Sequence, residues 1–365
     1  MKKIIKILGM FLLGLVLLVV IAIGIHKIKE RVEMKDITAD SKLCSIYNLP
    51  ELKPVKDYLM YMSDSSAMSL GSHFIKIGSL DANGNVLYGL ERLREVISEG
   101  QVPISIYEGE DISDDPEKGN ANIMFFPSSA EVSDKPFVVV IAGGGYMTVS
   151  NLLESYPTAR KLNELGYPVF VLNYRIDNSE GLFPKPMEDL AQALKYIYSH
   201  TSDFGIAENQ DYIVGGYSAG GHISAEWGTD NEGYLKYGIK APKALFLGYP
   251  AIAPDYFVSE EQPEEMKAFR ESIVGADNYE ELAEEFSADQ HVHSDYPPVY
   301  IVYCKDDDMV DPILHSQSMI NALEAKGINY RVEVGETGGH GFAVGFGTSV
   351  EGWIERADSF FESLD

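Results

Sequence analysis

Residues 211–221, DYIVGGYSAGG, constrain the fold of this chain more than any other stretch. An apolar segment at 212–214 predicts a β-strand, and it leads into residues 216–220, GYSAG, which have the form G-x-S-x-G. In this pattern the chain turns sharply from a strand into a helix, and the central serine, Ser218, takes a strained backbone conformation that flanking glycines permit. Its hydroxyl then lies at the carboxyl edge of a sheet, beside the free N–H groups of a helix N-terminus. Because the pentapeptide also occurs by chance in ordinary turns, its meaning depends on the rest of the chain.

Strand-like and helical segments alternate from residue 103 to the C-terminus. Short apolar runs predict strands, and runs with apolar residues every three or four positions predict helices between them. This alternation is typical of an α/β fold, with a mostly parallel sheet covered by helices on both faces, and it is compatible with an antiparallel pairing of the first two strands at one edge. The predicted strands are 104–107, 123–126, 137–142, 169–174, 212–214, 244–249, 299–304 and 330–334, and the predicted helices are 154–165, 187–200, the segment after Ser218, 313–325 and 350–364.

Charge and cysteine content exclude several classes of protein. The 365-residue chain has a net charge of −27, although residues 1–31 carry six Lys or Arg against one Glu. The remainder is therefore strongly acidic and offers no basic patch for phosphates, which argues against nucleic-acid binding. Two cysteines, Cys44 and Cys304, are too few for a disulfide framework, and Cys304 is expected to be a buried core thiol. His291 and His293 form an H-x-H pair without an evident third ligand, so no metal site is expected.

The N-terminus predicts a membrane anchor. Residues 7–25 are nineteen consecutive uncharged, mostly apolar residues with lysines on both sides, which is long enough to span a bilayer as one helix. We predict an uncleaved signal anchor over residues 1–31, with the rest of the chain outside the cytoplasm. The alternatives are a cleaved signal peptide with secretion of the protein, and a domain that faces the cytoplasm. The sequence leaves the oligomeric state open.

Two further regions flank or interrupt the predicted catalytic domain at 101–365. Residues 32–100 are expected to form an N-terminal extension packed on that domain, or alternatively to cover its active-site mouth. Residues 254–295 are strongly acidic and predict helices inserted over the carboxyl edge of the sheet. Such a charge run is typical of a solvated helical face, and a lid over the substrate entrance is the more specific hypothesis.

A serine nucleophile needs a base to take its proton and a carboxylate to orient that base. His340 follows the last predicted strand and lies between two glycines, so its ring can approach Ser218 without a crowding neighbour. The acid is expected in the run DDDMVDP at 306–312, which follows the preceding strand. Asp307 is favoured because the loop has just left the strand there, and Asp308 and Asp306 are the alternatives. Asp311 stands before a proline and is interpreted as the N-cap of the helix at 313–325.

An oxyanion requires at least two aimed N–H groups. Ala219, directly after the nucleophile, is expected to supply one, and the glycine loop at 143–145 is expected to supply the other from Gly143, Gly144 or Gly145. A dinucleotide-binding interpretation of this loop is disfavoured, because the third glycine of G-x-G-x-x-G is replaced by Thr148 and the next strand ends without an acidic residue. No cofactor is therefore expected.

Taken together, the motifs GGGY at 143–146, GYSAGG at 216–221, DDDMVDP at 306–312 and GGHGF at 338–342 resemble those of the α/β-hydrolase superfamily. More narrowly, residues 100–365 resemble bacterial esterases of the acetyl esterase and acetyl-xylan esterase type, related to hormone-sensitive-lipase-like enzymes. The resemblance implies a serine ester hydrolase without a cofactor that acts on a small-molecule or carbohydrate ester. Tyr146 and Tyr217, which lie within the first two of these motifs, are expected to contact substrate.

Three alternative functions are compatible with the same residues. An amidase or peptidase would use the same triad, because the leaving-group site is not visible in the sequence. A catalytically silent, membrane-tethered binding module would keep the fold, although such proteins usually lose a member of the triad. Hydrolysis of lipids at the membrane is suggested by the anchor and is disfavoured by the acidic charge of the body.

Overall fold

The computed structural model describes residues 37–62, 77–81, 83–128, 134–176, 181–253 and 279–364. The predicted membrane span at 7–25 and residues 254–278 of the predicted acidic insertion lie outside these ranges. Within the part of the chain that is described, no helix is both long and apolar enough to cross a membrane.

Most of the described strands form one eight-stranded sheet at the centre of the fold. The strands in chain order are β1 Tyr61–Met62, β2 Ile104–Ser105, β3 Asn122–Phe126, β4 Phe137–Ile141, β5 Thr148–Val149, β6 Val169–Asn173, β7 Tyr212–Tyr217, β8 Ala244–Gly248, β9 Val299–Cys304 and β10 Tyr330–Gly335. The order across the sheet is β10-β9-β8-β7-β4-β6-β3-β2. Strands β4 and β6 to β10 are parallel to one another. At one edge, β3 is antiparallel to both of its neighbours, β6 and β2. This confirms the predicted mostly parallel sheet and its antiparallel edge.

Helices flank the sheet. Those in the described ranges are α1 Leu43–Tyr47, α2 Ile77–Leu80, α3 Asn85–Ser98, α4 Glu110–Asp114, α5 Ser155–Glu164, α6 Lys185–Ser199, α7 Thr201–Phe204, α8 Ser218–Glu226, α9 Tyr279–Glu285, α10 Ser316–Lys326 and α11 Trp353–Glu362. Every residue of β3, β4 and β6 to β9 is buried. Since the side chains of a strand point alternately to its two faces, both faces of the sheet are covered.

Strand β7 is longer than the sequence predicts because two glycines extend it. A Cβ on Gly215 would lie 2.0 Å from the ring of Phe246 on the neighbouring strand, so that ring fills the space a side chain would take. The missing side chains weaken the local strand pattern. In the structure, however, pairing with β4 and β8 carries the strand through to Tyr217.

The described residues before 101 pack on the sheet domain. Helix α3 lies against α5, and a Cβ on Gly89 would lie 2.6 Å from the backbone nitrogen of Pro157, so only glycine fits this helix contact. Strand β1 pairs antiparallel with β5, with Tyr61 opposite Val149. Since β5 directly follows the glycine loop at 143–145, this extension supports the loop from one side.

Candidate active site

The turn from β7 into α8 places Ser218 in a strained backbone conformation. Its φ is +52°, in the left-handed region that residues with a Cβ seldom adopt. The two glycines of the motif relieve crowding around it. A Cβ on Gly216 would lie 2.4 Å from the carbonyl oxygen of Gly220, and a Cβ on Gly220 would lie 2.2 Å from that of Ile141. The strained turn predicted from G-x-S-x-G is thus present.

Three loops at the carboxyl edge of the sheet bring Ser218, His340 and Asp307 into contact. His340 Nε2 lies 2.9 Å from Ser218 Oγ, and its Nδ1 lies 2.7 Å from Asp307 Oδ2. An ionised aspartate only accepts hydrogen bonds, so Asp307 favours the tautomer with the proton on Nδ1 and leaves Nε2 to accept the serine proton. Ser218 and Asp307 are each 8% exposed, which limits competition from water. This is the arrangement of a nucleophile, a base and an orienting acid.

The other oxygen of Asp307 fixes the carboxylate to its own loop. Asp307 Oδ1 accepts the backbone N–H groups of Met309 at 3.0 Å and Val310 at 2.9 Å. Asp308, the sequence alternative for this role, has an exposed side chain. The structure therefore brings Asp307, and not Asp308, to the histidine.

Asp306 and Asp311 have structural contacts outside the triad. Asp306 accepts the N–H groups of Gly339 and Gly338, on the loop that carries His340, and these bonds lower its pKa. Asp311 accepts the N–H of Ile313 at 2.8 Å. The prediction that Asp311 caps the following helix is wrong, because α10 begins only at Ser316 and its N-cap residue is His315.

The glycine loop lies against the nucleophile, but Gly143 differs from its two neighbours. Its N–H donates to Glu154 Oε2 at 2.6 Å, so this group is taken and the prediction that Gly143 supplies an oxyanion donor is corrected. A Cβ on Gly143 would lie 2.7 Å from Ser218 Cβ, so the residue serves as a close contact under the serine. Within the described ranges, no group accepts a hydrogen bond from the N–H of Gly144, Gly145 or Ala219. These are the groups available to an oxyanion.

The two tyrosines predicted to contact substrate are buried beneath the site. Tyr217 has no exposed surface, and its hydroxyl lies 2.6 Å from Thr158 Oγ1. Tyr146 is 1% exposed, and its hydroxyl lies 2.6 Å from His222 Nδ1. Both predictions are corrected, because a fully packed ring presents no surface to a ligand. His222 packs in the interior, as expected, with Nε2 2.8 Å from the carbonyl oxygen of Phe286.

Glu154 is the residue of this region that sequence reasoning missed. It is 5% exposed, and besides the N–H of Gly143 it accepts the hydroxyl of Tyr249 at 2.9 Å. Burial raises its pKa, and the hydrogen bonds from Gly143 and Tyr249 and the nearby His340 oppose that shift. Glu154 is the only charged residue between Lys135 and Arg160, and a single charge in a long uncharged segment is the sequence signal that could have identified it. It is the first residue of the helix predicted at 154–165, and no role in the site was predicted for it.

His291, His293 and Cys304 make contacts outside the group formed by Ser218, His340 and Asp307. His291 Nε2 lies 3.0 Å from the carbonyl oxygen of Glu284, and His293 Nε2 lies 3.1 Å from that of Gly228. Among the described residues, no group of three His, Cys, Asp or Glu side chains could hold a metal ion. Cys304 is a buried thiol, as expected, and burial raises its pKa to about 11.

Comparison with known proteins connects this geometry to a family. The sequence profile of the family described as BD-FAE matches residues 124–323, more than half of the chain. The acetylxylan esterase of Xylanibacter ruminicola is 29% identical over 230 residues, which cover 62% of this chain and 44% of that protein. The endo-1,4-beta-xylanase B of Butyrivibrio fibrisolvens is 28% identical over 225 residues, which cover 59% of this chain and 34% of that protein. The chain thus spans less than half the length of these two curated relatives.

A solved structure supports the fold. The acetyl ester-xyloside bifunctional hydrolase from Caldicellulosiruptor lactoaceticus matches with a TM-score of 0.60 at 24% identity, over 72% of this chain and 96% of that chain. The similarity extends over nearly all of that protein and confirms an α/β-hydrolase architecture for the chain.

Proposed function

The chain belongs to the BD-FAE family of α/β hydrolases, and from this premise we propose that it is a serine ester hydrolase acting on short acyl esters through Ser218, His340 and Asp307. The observation that carries the proposal is the continuous hydrogen-bonded path from Ser218 Oγ through the His340 ring to Asp307. Each of the three groups comes from a different loop, so their meeting at one sheet edge is not a by-product of local chain geometry. A relative named as an acetylxylan esterase supports a carboxylic ester hydrolase.

The chemistry follows from the contacts of these three residues. Ser218 Oγ attacks the ester carbonyl while His340 Nε2 takes the serine proton, and Asp307 stabilises the imidazolium that results. The tetrahedral oxyanion accepts hydrogen bonds from Ala219 and from the glycine loop. His340 then returns the proton to the leaving alcohol, and a water molecule hydrolyses the acyl-enzyme by the same steps in reverse.

The donors proposed for the oxyanion are the N–H groups of Ala219, Gly144 and Gly145. Ala219 lies in the first turn of α8, where backbone N–H groups lack partners within the helix. The helix dipole adds a positive partial charge at the same place. Gly144 and Gly145 have positive φ values of 127° and 59°, and this conformation turns the loop around the serine.

We propose an acetyl group on a carbohydrate as the substrate class. Support comes from the names of two of the similar proteins, the acetylxylan esterase of Xylanibacter ruminicola and the acetyl ester-xyloside bifunctional hydrolase of Caldicellulosiruptor lactoaceticus. The net charge of −27 is compatible with a neutral carbohydrate and unfavourable for an anionic one.

The test is hydrolysis of a chromogenic ester series from acetyl to octanoyl by the purified full-length protein, with Ser218→Ala alongside. We expect turnover that falls with acyl length and drops by about 10³-fold or more in the variant, because the nucleophile is lost. Acetate release from acetylated xylo-oligosaccharides, compared with acetylated non-carbohydrate alcohols, tests the substrate class. A folded protein that cleaves none of the esters, or a variant as active as the wild type, would contradict the proposal.

A further inference from the structure

A buried carboxylate connects the glycine loop to the loop that carries the base. Glu154 Oε2 accepts the N–H of Gly143, which lies in contact with Ser218, at 2.6 Å. Glu154 Oε1 accepts the hydroxyl of Tyr249 at 2.9 Å. The hydroxyl oxygen of Tyr249 in turn accepts the N–H of Ala343, three residues after His340. Glu154 is thus linked to both loops that flank the nucleophile, directly to the glycine loop and through Tyr249 to the loop of His340.

The direction of these hydrogen bonds favours an ionised acid at position 154 and opposes the burial that raises its pKa. Both neighbours donate, and a carboxylate offers acceptors on both oxygens. An amide in the same place satisfies one donor and turns its own N–H₂ group against the other. Tyr249 cannot reverse its role easily, because its oxygen is already the acceptor for Ala343. A protonated Glu154 keeps acceptor capacity on both oxygens but adds an O–H donor among groups that themselves donate.

Among the described residues, the polar groups that lower the pKa of buried Glu154 are Gly143, Tyr249 and His340, and none of them is a lysine or an arginine. Burial raises the pKa of Tyr174 and Tyr217, and the charge of Glu154 adds to that shift. His340 is the only member of this set that becomes a cation. The rings of Tyr249 and His340 lie 4.7 Å apart between their centroids, so the positive charge forms close to this network.

We propose that Glu154 is a positioning residue of the proposed esterase, one that holds Gly143 under Ser218, holds the His340 loop through Tyr249, and stabilises the charged form of His340. The inference rests on the proposed function. When Ser218 Oγ bonds to the carbonyl carbon, the serine proton moves to His340, and the ring becomes an imidazolium. Asp307 contacts that ring directly, and Glu154 supplies a second negative charge from the side of Tyr249.

The test compares Glu154→Gln and Tyr249→Phe with the wild type across pH. Two rates are measured: kcat/KM for a chromogenic acetyl ester, and the rate of labelling by a fluorophosphonate probe. In the labelling reaction Ser218 Oγ displaces fluoride from phosphorus and His340 takes the serine proton, so the second rate needs no ester substrate. Glu232→Gln is the matched control, a buried carboxylate in the turn after α8 that contacts Lys236.

Both active-site variants are expected to lower the two rates about 10- to 100-fold, because each breaks a link between the loops. Only Glu154→Gln should also move the acidic limb of the pH profile, to lower pH by about half a unit to one unit. The sign follows because a lost negative charge no longer favours the imidazolium over the neutral ring, so the neutral, active form persists to lower pH. Tyr249→Phe keeps the charge of Glu154 and should keep the limb in place. Glu232→Gln should stay within about twofold of the wild type.

Two outcomes distinguish failure of the role of Glu154 from failure of the proposed function. If the wild type is labelled and Glu154→Gln shows an unshifted acidic limb, Glu154 has no electrostatic effect on His340 and the inference is overturned while the serine hydrolase stands. If the wild type is neither labelled nor active on any ester, the proposed function fails and the role of Glu154 fails with it. Circular dichroism and thermal melting of each variant show that the comparison is made between folded proteins.

Discussion

At the scale of single residues, the acid loop shows how three neighbouring aspartates acquire different roles. Asp307 is almost fully buried and contacts the His340 ring, Asp306 is bonded to the backbone of the His340 loop, and Asp308 is exposed. Their chemistry is identical, so only the direction in which the loop points each side chain distinguishes them. The structure thereby makes a sharp prediction for three conservative substitutions.

Replacing Asp307 with asparagine should lower kcat by roughly 10³- to 10⁴-fold, because the amide no longer favours the tautomer in which Nε2 accepts the serine proton. Asp308→Asn should stay within about twofold of the wild type, since its side chain faces solvent. Asp306→Asn should fall between the two, because it weakens bonds that hold Gly338 and Gly339. Steady-state kinetics on one chromogenic ester measures all three. A larger loss in Asp308→Asn than in Asp307→Asn would reassign the acid.

At the scale of elements, the glycine loop is shaped by contacts on both of its sides. Glu154 holds its first residue, and β5 continues from it into the pairing with β1. The side chain of Thr148 also donates to the carbonyl oxygen of Tyr61 at 2.8 Å. The three consecutive glycines therefore have different structural roles, which cannot be distinguished from the sequence because the residues are identical.

Alanine substitutions at Gly144 and Gly145 test this difference. A Cβ on Gly144 would lie 2.2 Å from the carbonyl oxygen of Thr148, at a φ of +127°, so Gly144→Ala must displace the loop. We expect kcat to fall about 100-fold or more, as for loss of an oxyanion donor. Gly145 has a φ of +59° and its nearest neighbour, Met147 Cε, lies 3.6 Å from the added carbon. Gly145→Ala should cost about 1–2 kcal/mol of strain and less than about tenfold in kcat. Equal losses would show that the loop is not fixed by Thr148.

At the scale of the whole molecule, the N-terminal extension and the sheet domain share one core. The hydrophobic cluster that includes the strands also includes buried residues of the extension, among them Leu43, Ile46, Leu52, Val86, Leu90 and Leu93. Several of these side chains have no exposed surface at all. The extension thus behaves as part of the folded body.

A chain that starts at residue 101 should therefore fail to fold stably, whereas one that starts at residue 37 should fold. Each buried aliphatic side chain contributes about 1.5–3 kcal/mol, and loss of several exceeds the typical total stability of about 5–15 kcal/mol. Thermal melting and limited proteolysis of the two proteins provide the measurement. An unchanged melting temperature for the shorter chain would show that the extension is dispensable.

The sequence predicted the elements whose signal is local. Apolar runs identified the parallel strands, and the order Ser218, Asp307, His340 along the chain anticipated the three residues that meet at the sheet edge. Buried strands can be predicted because they appear in the sequence as short runs of apolar residues. The nucleophile can be predicted because the sharp turn at the serine of G-x-S-x-G has room only for glycine on either side. Helix boundaries were less accurate, as at Asp311, because a turn and a helix start share the same capping residues.

The tertiary structure alone decided which donors and acceptors are already paired. Gly143 has the same local sequence signal as Gly144, and it is excluded from the oxyanion only because Glu154, eleven positions away, accepts its N–H. Tyr146 and Tyr217 lie within the functional motifs in the chain, yet both are buried, with Tyr146 bonded to His222 of α8 and Tyr217 to Thr158 of α5. Periodicity records how much of a segment is buried, whereas hydrogen-bond partners come from distant elements that meet only when the chain has folded.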